Sequence, residues 1–429
     1  MNRPLHVAVA GLGTVGLGVV RVLVERADDL AERAGCAIAP TFVSARDPQK
    51  RRIAAVSALP WADEPLTLAR SDVDVVVELI GGEDGVALDL IRASLHSGKH
   101  VVTANKALLS RHGAELAAIA ESRGVALKFE AAVAGGIPIV KALRESLVAH
   151  GVGAVRGILN GTCNYILTQM ESTGRTFHQV LAEAQRMGFA EADPGLDVGG
   201  GDTAHKLAIL ASVAFGVRPN LELMSIHGIE DVTPEDITFA REFGYRIKLL
   251  GVARMSAEGI DQRVQPAMVK LGTPLADVDG AFNAVVADAG EAGPFFFEGR
   301  GAGEAPTAAA VIADLMDIGR GSIGFTFGRP ASRLRSAVSA PPGARLSAYY
   351  LRFQVLDRPG VLAEIAGHLA QSEISIESMI QRGRAPGEPV AIVMITHECV
   401  PTVVSAALNA IAGSDKVLSA PVMIPMEAG

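Results

Sequence analysis

The sequence predicts an α/β protein with a doubly wound parallel sheet at the N-terminus, an α+β middle region and a ferredoxin-like tail. Three observations carry this. Residues 5–129 alternate short, continuously apolar runs with helical repeats, the pattern of a parallel sheet covered on both faces. The first run ends at Gly11-Leu12-Gly13-Thr14-Val15-Gly16, which opens a helical repeat. The last stretch, after residue 348, reads strand, helix, strand, strand, helix, strand in about 80 residues.

Each element has a local reason. Leu5–Ala10 is an apolar run, and Val15–Leu30 repeats apolar residues at helical spacing. Ala37–Ala45, Asp74–Ile80, His100–Ala104 and Val125–Phe129 are the further strands, with helices over Gly85–Ser97 and Ala107–Ser122. The order is that of a Rossmann-type nucleotide-binding domain, assigned to 1–135 and completed by about 301–322. Residues 136–335 form a second domain, mainly helical to about 250. Strands follow over Leu249–Ala253, Gln262–Val269, Ala284–Ala287 and Pro294–Glu298, then a helix over Thr307–Gly319. Residues 336–348 are rich in Ser, Ala, Pro and Gly without periodicity and read as a linker. Residues 349–429 carry strands at Tyr350–Val355, Ile374–Gln381, Ala391–Thr396 and Val417–Met423, and helices at Gly360–Gln371 and Val400–Ile411.

Composition narrows the function. The 429 residues are 49% hydrophobic and 20% charged, so a large core is available. A net charge of −8 argues against a general nucleic-acid binder. Cys36, Cys163 and Cys399 are too few and too scattered for a disulfide framework or a zinc cluster, which fits a reducing compartment. No signal-peptide pattern opens the chain, and no apolar run approaches the roughly 18 residues of a membrane span. The expectation is a cytoplasmic protein.

The glycine motif carries the first chemistry. Gly11 permits the tight turn, Gly13 lets the backbone approach a pyrophosphate, and Gly16 lets the helix pack on the strand. At the end of the second strand stand Arg46 and then Lys50, Arg51 and Arg52, cations suited to a 2′-phosphate. Asp47 is the competing signal for an unphosphorylated ribose. The expectation is therefore NADP, with NAD as the alternative. Lys106 follows the fourth strand, at the carboxyl edge where ligands bind in such sheets. A cation at a helix start is unfavourable unless an anion lies close.

Glu191-Ala192-Asp193-Pro194-Gly195-Leu196-Asp197 is an acidic loop leading through Gly199–Gly201 to Asp202 and Lys206. Asp202 can cap the following helix, and Lys206 falls on the same face. The group suits an amino acid's ammonium with a proton donor, or a metal, or a cap with a surface ion pair. Asn160 and Asn164 flank Cys163 in a strand–turn–helix element, and Cys163, with no nearby histidine, reads as packing. Asp357-Arg358-Pro359-Gly360-Val361-Leu362 opens a helix with backbone N–H groups suited to a small anion; a plain tight turn is the alternative.

GLGTVG, TANKALL, EAAVAGGIPI, LNGTCNYIL, GFAEADPGLDVGGGDTAHKLAIL and GRGAGEAPTAAAVIADL occur in this order, and over about residues 5–335 the chain resembles homoserine dehydrogenases. LDRPGVLAEIAGHLAQSEISIESM resembles an ACT regulatory domain. The resemblance implies reversible reduction of L-aspartate 4-semialdehyde to L-homoserine by NAD(P)H, on the route to threonine, methionine and isoleucine. It implies Lys206 as proton donor and Lys106 as a lysine contacting substrate and cofactor. It places Glu191, Asp197 and Asp202 at the substrate, and Thr14, Val15, Arg46, Gly188 and Gly303 at the cofactor. It also implies a structural sodium ion at Glu130, Val133, Gly135 and Ile137, held largely by backbone carbonyls. Threonine is the implied effector, near Asp357, Arg358, Pro359, Gly360 and Leu362, in a homodimer or homotetramer whose pairing surface is the strand-rich 250–300 region. A non-catalytic amino-acid sensor built from the same parts is the rival reading, but it would not need Lys106, Glu191, Asp202 and Lys206 together.

Overall fold

A computed structural model describes residues 3–341, 345–382 and 388–427. The N-terminal sheet is parallel and five-stranded: β1 (Leu5–Ala10), β2 (Ile38–Ser44), β3 (Val75–Glu78), β4 (His100–Thr103) and β5 (Leu127–Lys128), in spatial order β2-β1-β3-β4-β5. Helices α1 (Thr14–Glu25), α2 (Ala27–Ala34), α3 (Val86–His96) and α4 (Lys106–Arg123) connect and cover it. Its centre, residues 7–10, 75–77 and 101–102, is fully buried valine and alanine, as a sheet covered on both faces requires. The repeat expected over Val15–Leu30 is two helices with a break at Arg26, where the acidic pair Asp28 and Asp29 enters the first turn of α2.

The chain then makes α5 (Ile139–Lys141), β6 (Ala154–Ile158), α6 (Gly161–Thr173), α7 (Phe177–Arg186), α8 (Gly195–Val198) and α9 (Gly201–Phe215). After β7 (Ser225–Ile226) and α10 (Pro234–Glu242) come four longer strands: β8 (Tyr245–Met255), β9 (Ile260–Lys270), β10 (Phe282–Asp288) and β11 (Pro294–Arg300). Helix α11 (Glu304–Gly319) returns to the first domain and packs against α1, where Glu304 fills the space over Gly18 and pairs with Arg21. The tail folds as β12 (Tyr349–Leu356), α12 (Val361–Gln371), β13 (Ile376–Gln381), β14 (Pro389–Thr396), α13 (Pro401–Ala412) and β15 (Val422–Glu427), in the expected βαββαβ order.

Two features differ from the sequence expectation. The segment read as a linker is held in place: Ile260 N–H donates to the Val338 carbonyl and Ala340 N–H to the Ile260 carbonyl, both at 2.8–2.9 Å. Residues 342–344 of that segment lie outside the described residues. The last strand runs over Val422–Glu427 rather than Val417–Met423, with Val417 making only an isolated bridge to Val355. This shift brings Met426 and Glu427 into parallel pairing with Met268 and Val269 of β9. The tail's sheet thereby continues the middle domain's sheet as one ten-stranded unit among the described residues, in the order β11-β10-β6-β8-β9-β15-β12-β14-β13, with β7 beside β9.

Two buried carboxylates lock this junction. Asp236 caps α10 and accepts from Tyr350 Oη at 3.0 Å and Arg352 Nε at 2.6 Å. Burial and the adjacent Asp236 hold the Tyr350 phenol far above its ordinary value, so it stays a donor. Glu427 accepts from Arg254, Arg263 and Arg345.

Candidate active site

The carboxyl ends of β3 and β4 place the first lysine. Glu78, fully buried, accepts from Ile80 N–H, Gly81 N–H and Thr103 Oγ1. Asn105 donates to the Gly82 carbonyl at 2.6 Å and caps α4 through Leu108 N–H. This network ties the β3 loop to the β4 end and starts α4 at Lys106. The anion a cation needs at that position is present: Lys106 Nζ lies 3.1 Å from Asp202 Oδ1.

Helix α9 places the second lysine. Gly200, at φ +88°, makes the turn into α9, and Asp202 and Lys206 follow one turn apart. Lys206 Nζ donates to Asp202 Oδ2 at 2.6 Å and to the Leu159 carbonyl at 2.7 Å. Asn160 completes the cluster. Its Oδ1 caps α6 at Cys163 N–H, and its Nδ2 donates to Asp197 Oδ1 at 2.8 Å and Asp202 Oδ2 at 2.9 Å. Asn-Gly in sequence marks only a turn; the signal for this role was Asn at a strand-to-helix start, the preferred N-cap.

The electrostatics follow from this packing. Burial opposes the charge on Asp202, but Lys206 and Lys106 outweigh it and hold the carboxyl well below its usual range. Burial pushes Asp197 upward, against the hydrogen bond from Asn160. Burial, with Asp197 and Asp202 nearby, pushes the Cys163 thiol far up, and its Sγ donates to the Asp197 carbonyl. Cys163 is therefore a packing residue and not a nucleophile. Glu191 is exposed, and Gln185 binds its backbone carbonyl; no hydrogen bond or ion pair joins its carboxylate to the cluster.

The glycine loop has the geometry its spacing predicts. Gly11 sits at φ +98°, where a Cβ would lie 2.3 Å from the Leu79 carbonyl oxygen. At Gly16 a Cβ would meet the Gly11 carbonyl at 1.9 Å, whereas Gly13 faces open space at the start of α1. Thr14 and Val15 form that start, with no side chain capping it, which leaves its N–H groups for an anion. Gly303, at φ +112°, starts α11 at the same edge, and Gly188, at φ +75°, follows α7. Arg46 is exposed beside the β2 end and makes no hydrogen bond or ion pair with the described residues. Asp47 is used as a cap, accepting from Gln49 N–H. Lys50 reaches the Leu12 carbonyl at 2.5 Å, and Arg51 pairs with Asp63 and stacks on Trp61.

The loop from Glu130 to Ile137 contains two consecutive left-handed residues, Ala134 and Gly135, both at φ 55°. Glu130 is buried, accepts from Val140 and Lys141 N–H, and donates its own N–H to Asp314. Burial and the nearby Asp314 raise Glu130 to about 7, and burial raises Asp314 to about 6. Asp314 Oδ1 has no partner.

The comparisons decide the family. Models of the homoserine dehydrogenase NAD-binding domain, of homoserine dehydrogenase and of the ACT domain match residues 11–130, 138–316 and 349–413. The homoserine dehydrogenases of Neisseria gonorrhoeae and Pseudomonas aeruginosa are each 42% identical over 99% of both chains. The chain belongs to the homoserine dehydrogenase family. A crystal structure of the Thiobacillus denitrificans homoserine dehydrogenase superposes with a TM-score of 0.93, at 43% identity, covering 99% of this chain and 98% of that one. A hyperthermophilic archaeal homoserine dehydrogenase, solved in complex with NADPH, shares the fold over 73% of this chain, at a TM-score of 0.63 and 24% identity. Membership makes this chain a nicotinamide-dependent oxidoreductase acting on a CH–OH group, which interconverts L-aspartate 4-semialdehyde and L-homoserine. No helix among the described residues is long and apolar enough to cross a membrane.

Proposed function

We propose that Lys206 donates the proton in semialdehyde reduction, with Lys106, Asp197, Asp202 and Glu191 holding the substrate. The observation that supports this is one buried carboxylate, Asp202, held between two lysines at the ligand edge of the cofactor sheet. The bound dinucleotide supplies the hydride. As the aldehyde carbon gains it, the carbonyl π bond breaks and the oxygen takes the electron pair. Lys206 gives that oxygen a proton, yielding the hydroxyl of homoserine, and regains one from solvent. Lys106 adds a second positive charge where negative charge develops. Asp202 fixes both ammonium groups, and Asn160 fixes Asp202.

NADP is the proposed cofactor, read by Arg46 and bound over Gly11, Gly13, Thr14, Val15 and Gly16, with Lys106, Gly188 and Gly303 completing the site. Sodium is proposed at Glu130, Val133, Gly135 and Ile137. The buried acid pair with an unpartnered Asp314 oxygen suits a cation. Threonine is the proposed effector at Asp357, Arg358, Pro359, Gly360 and Leu362, where Gly360 (φ +90°) starts α12 without a side-chain cap. We further propose a cytoplasmic homodimer or homotetramer, divided at 1–135, 136–335, 336–348 and 349–429. The test is NADPH consumption with L-aspartate 4-semialdehyde. Turnover that Lys206→Ala abolishes without loss of NADPH binding supports the roles; turnover unchanged in that variant refutes them.

A further inference from the structure

The junction between the middle domain and the tail forms an open cavity of about 1270 Å³. It is as large as sites that take small metabolites. One part of the lining is Ser225, His227 and Gly228; another is α13, with Thr402, Ser405 and Asn409. The floor carries Arg254, Arg263 and Arg345, and Arg352, paired with Asp236, also lines the cavity.

The floor holds more positive than negative charge. Its three guanidiniums share two carboxylates, Glu427 and Asp261. Two carboxylates among three guanidiniums leave one positive charge in excess: Arg254 Nε and Arg345 Nε have no hydrogen-bond partner, while Arg263 Nε lies 3.1 Å from Asp261 Oδ1 and Arg345 Nη1 3.8 Å from Asp261 Oδ2. Arg156, across the β6–β8 pairing, adds a further positive charge felt at Arg254. The remaining lining carboxylate, Asp231, is exposed. Unbalanced positive charge in a partly buried site is costly, and an anion lowers that cost. Planar guanidiniums with neighbouring hydroxyl and amide groups suit carboxylate and phosphate oxygens.

The lining at Gly228 touches the substrate loop. A Cβ on Gly228 would lie 2.2 Å from the Val198 carbonyl oxygen, so the two backbones are in direct contact. His227 N–H donates to Val264 at 2.7 Å and Ile229 N–H to Val198 at 2.9 Å. Val198 lies between Asp197 and Asp202. We infer that this cavity is a binding site for a small oxyanion, the carboxylate or phosphate group of a metabolite, and that its occupant acts on the substrate loop through residues 227–229.

The test uses the full chain saturated with NADPH, so that the cofactor site is filled, and malonate or inorganic phosphate as probe. Ser405 projects from α13 and bonds only within its own helix, to the Pro401 carbonyl. Ser405→Glu therefore places a negative charge in the cavity without removing any bond of the Glu427 cluster, and Ser405→Gln is the neutral control. The expected result is a saturable rise in melting temperature for wild type and Ser405→Gln that Ser405→Glu loses. A rise with phosphate alone assigns a phosphate ligand, with malonate alone a carboxylate, and with both the shared oxyanion. No saturable rise in wild type, or an equal rise in Ser405→Glu, overturns the site. At saturation the KM for semialdehyde should change about 5-fold or more in wild type. Binding with an unchanged KM overturns the link to the substrate loop.

Discussion

Asp202 and Lys206 lie one helical turn apart on α9, and their Oδ2 and Nζ meet at 2.6 Å beneath the ligand edge of the cofactor sheet. Gly200 sets the start of the helix, and the i,i+4 spacing does the rest. Lys206 and Lys106 hold this carboxyl well below its usual range, so both lysines keep a counter-charge near neutral pH.

Asp202→Asn preserves shape and removes that charge. A charge-assisted hydrogen bond contributes about 1.5–3 kcal/mol, so kcat/KM should fall about 10- to 100-fold. Steady-state kinetics with the semialdehyde checks this. A variant with unchanged kcat/KM would show that Lys206 does not depend on Asp202.

Arg46→Ala should raise the KM for NADPH about 10- to 100-fold and leave that for NADH nearly unchanged, because only NADPH carries the 2′-phosphate. The side chain is exposed at the β2 end, while Asp47 is occupied as a cap. Equal changes in both cofactors would remove Arg46 from phosphate recognition.

Much of this was legible in the residues, for physical reasons that also mark the limit. Glycines with a steric reason stood where expected, because Gly11 and Gly16 are contacts between backbones and any side chain there collides. Lys106, Asp202 and Lys206 were readable because helix starts and i,i+4 spacing are local. Asn160 and Glu78 were not, since their partners are far along the chain and their local signature is only a turn or a strand end. The docked segment 338–340 and the pairing of β15 with β9 were also hidden. Ser, Ala and Pro carry no periodicity, and a buried glutamate two residues from the end has its reason only in distant arginines. Glu191 remains exposed and apart from the cluster that its loop suggested.

Arg352→Ala would leave Asp236 buried without its guanidinium. Breaking one side of a buried ion pair costs about 3–5 kcal/mol, so the urea midpoint should drop accordingly. Tyr350, β15 and Glu427 still hold the tail. A loss below about 1 kcal/mol would place the pair among weak surface contacts.

Lys248 is buried, donating to the Val278 carbonyl at 2.6 Å, and burial lowers its pKa to about 8. Between about 8 and its ordinary value near 10.5 the unfolded chain binds the proton and the folded chain does not. Wild-type stability therefore gains a contribution as pH rises through that window. Lys248→Met lacks it. The urea midpoint of wild type relative to Lys248→Met should rise with pH across the window; a constant difference would mean Lys248 does not titrate there.

The most direct measurement is the rate of NADPH oxidation by L-aspartate 4-semialdehyde in wild type and Lys206→Ala, alongside NADPH binding to each. Lys206 touches Asp202 and the Leu159 carbonyl and no part of the glycine loop. The account predicts a fall in kcat of about 10²–10⁴-fold with cofactor affinity nearly unchanged. A variant with near-wild-type kcat, or one that loses NADPH binding along with turnover, would contradict the assignment of Lys206 as the proton donor.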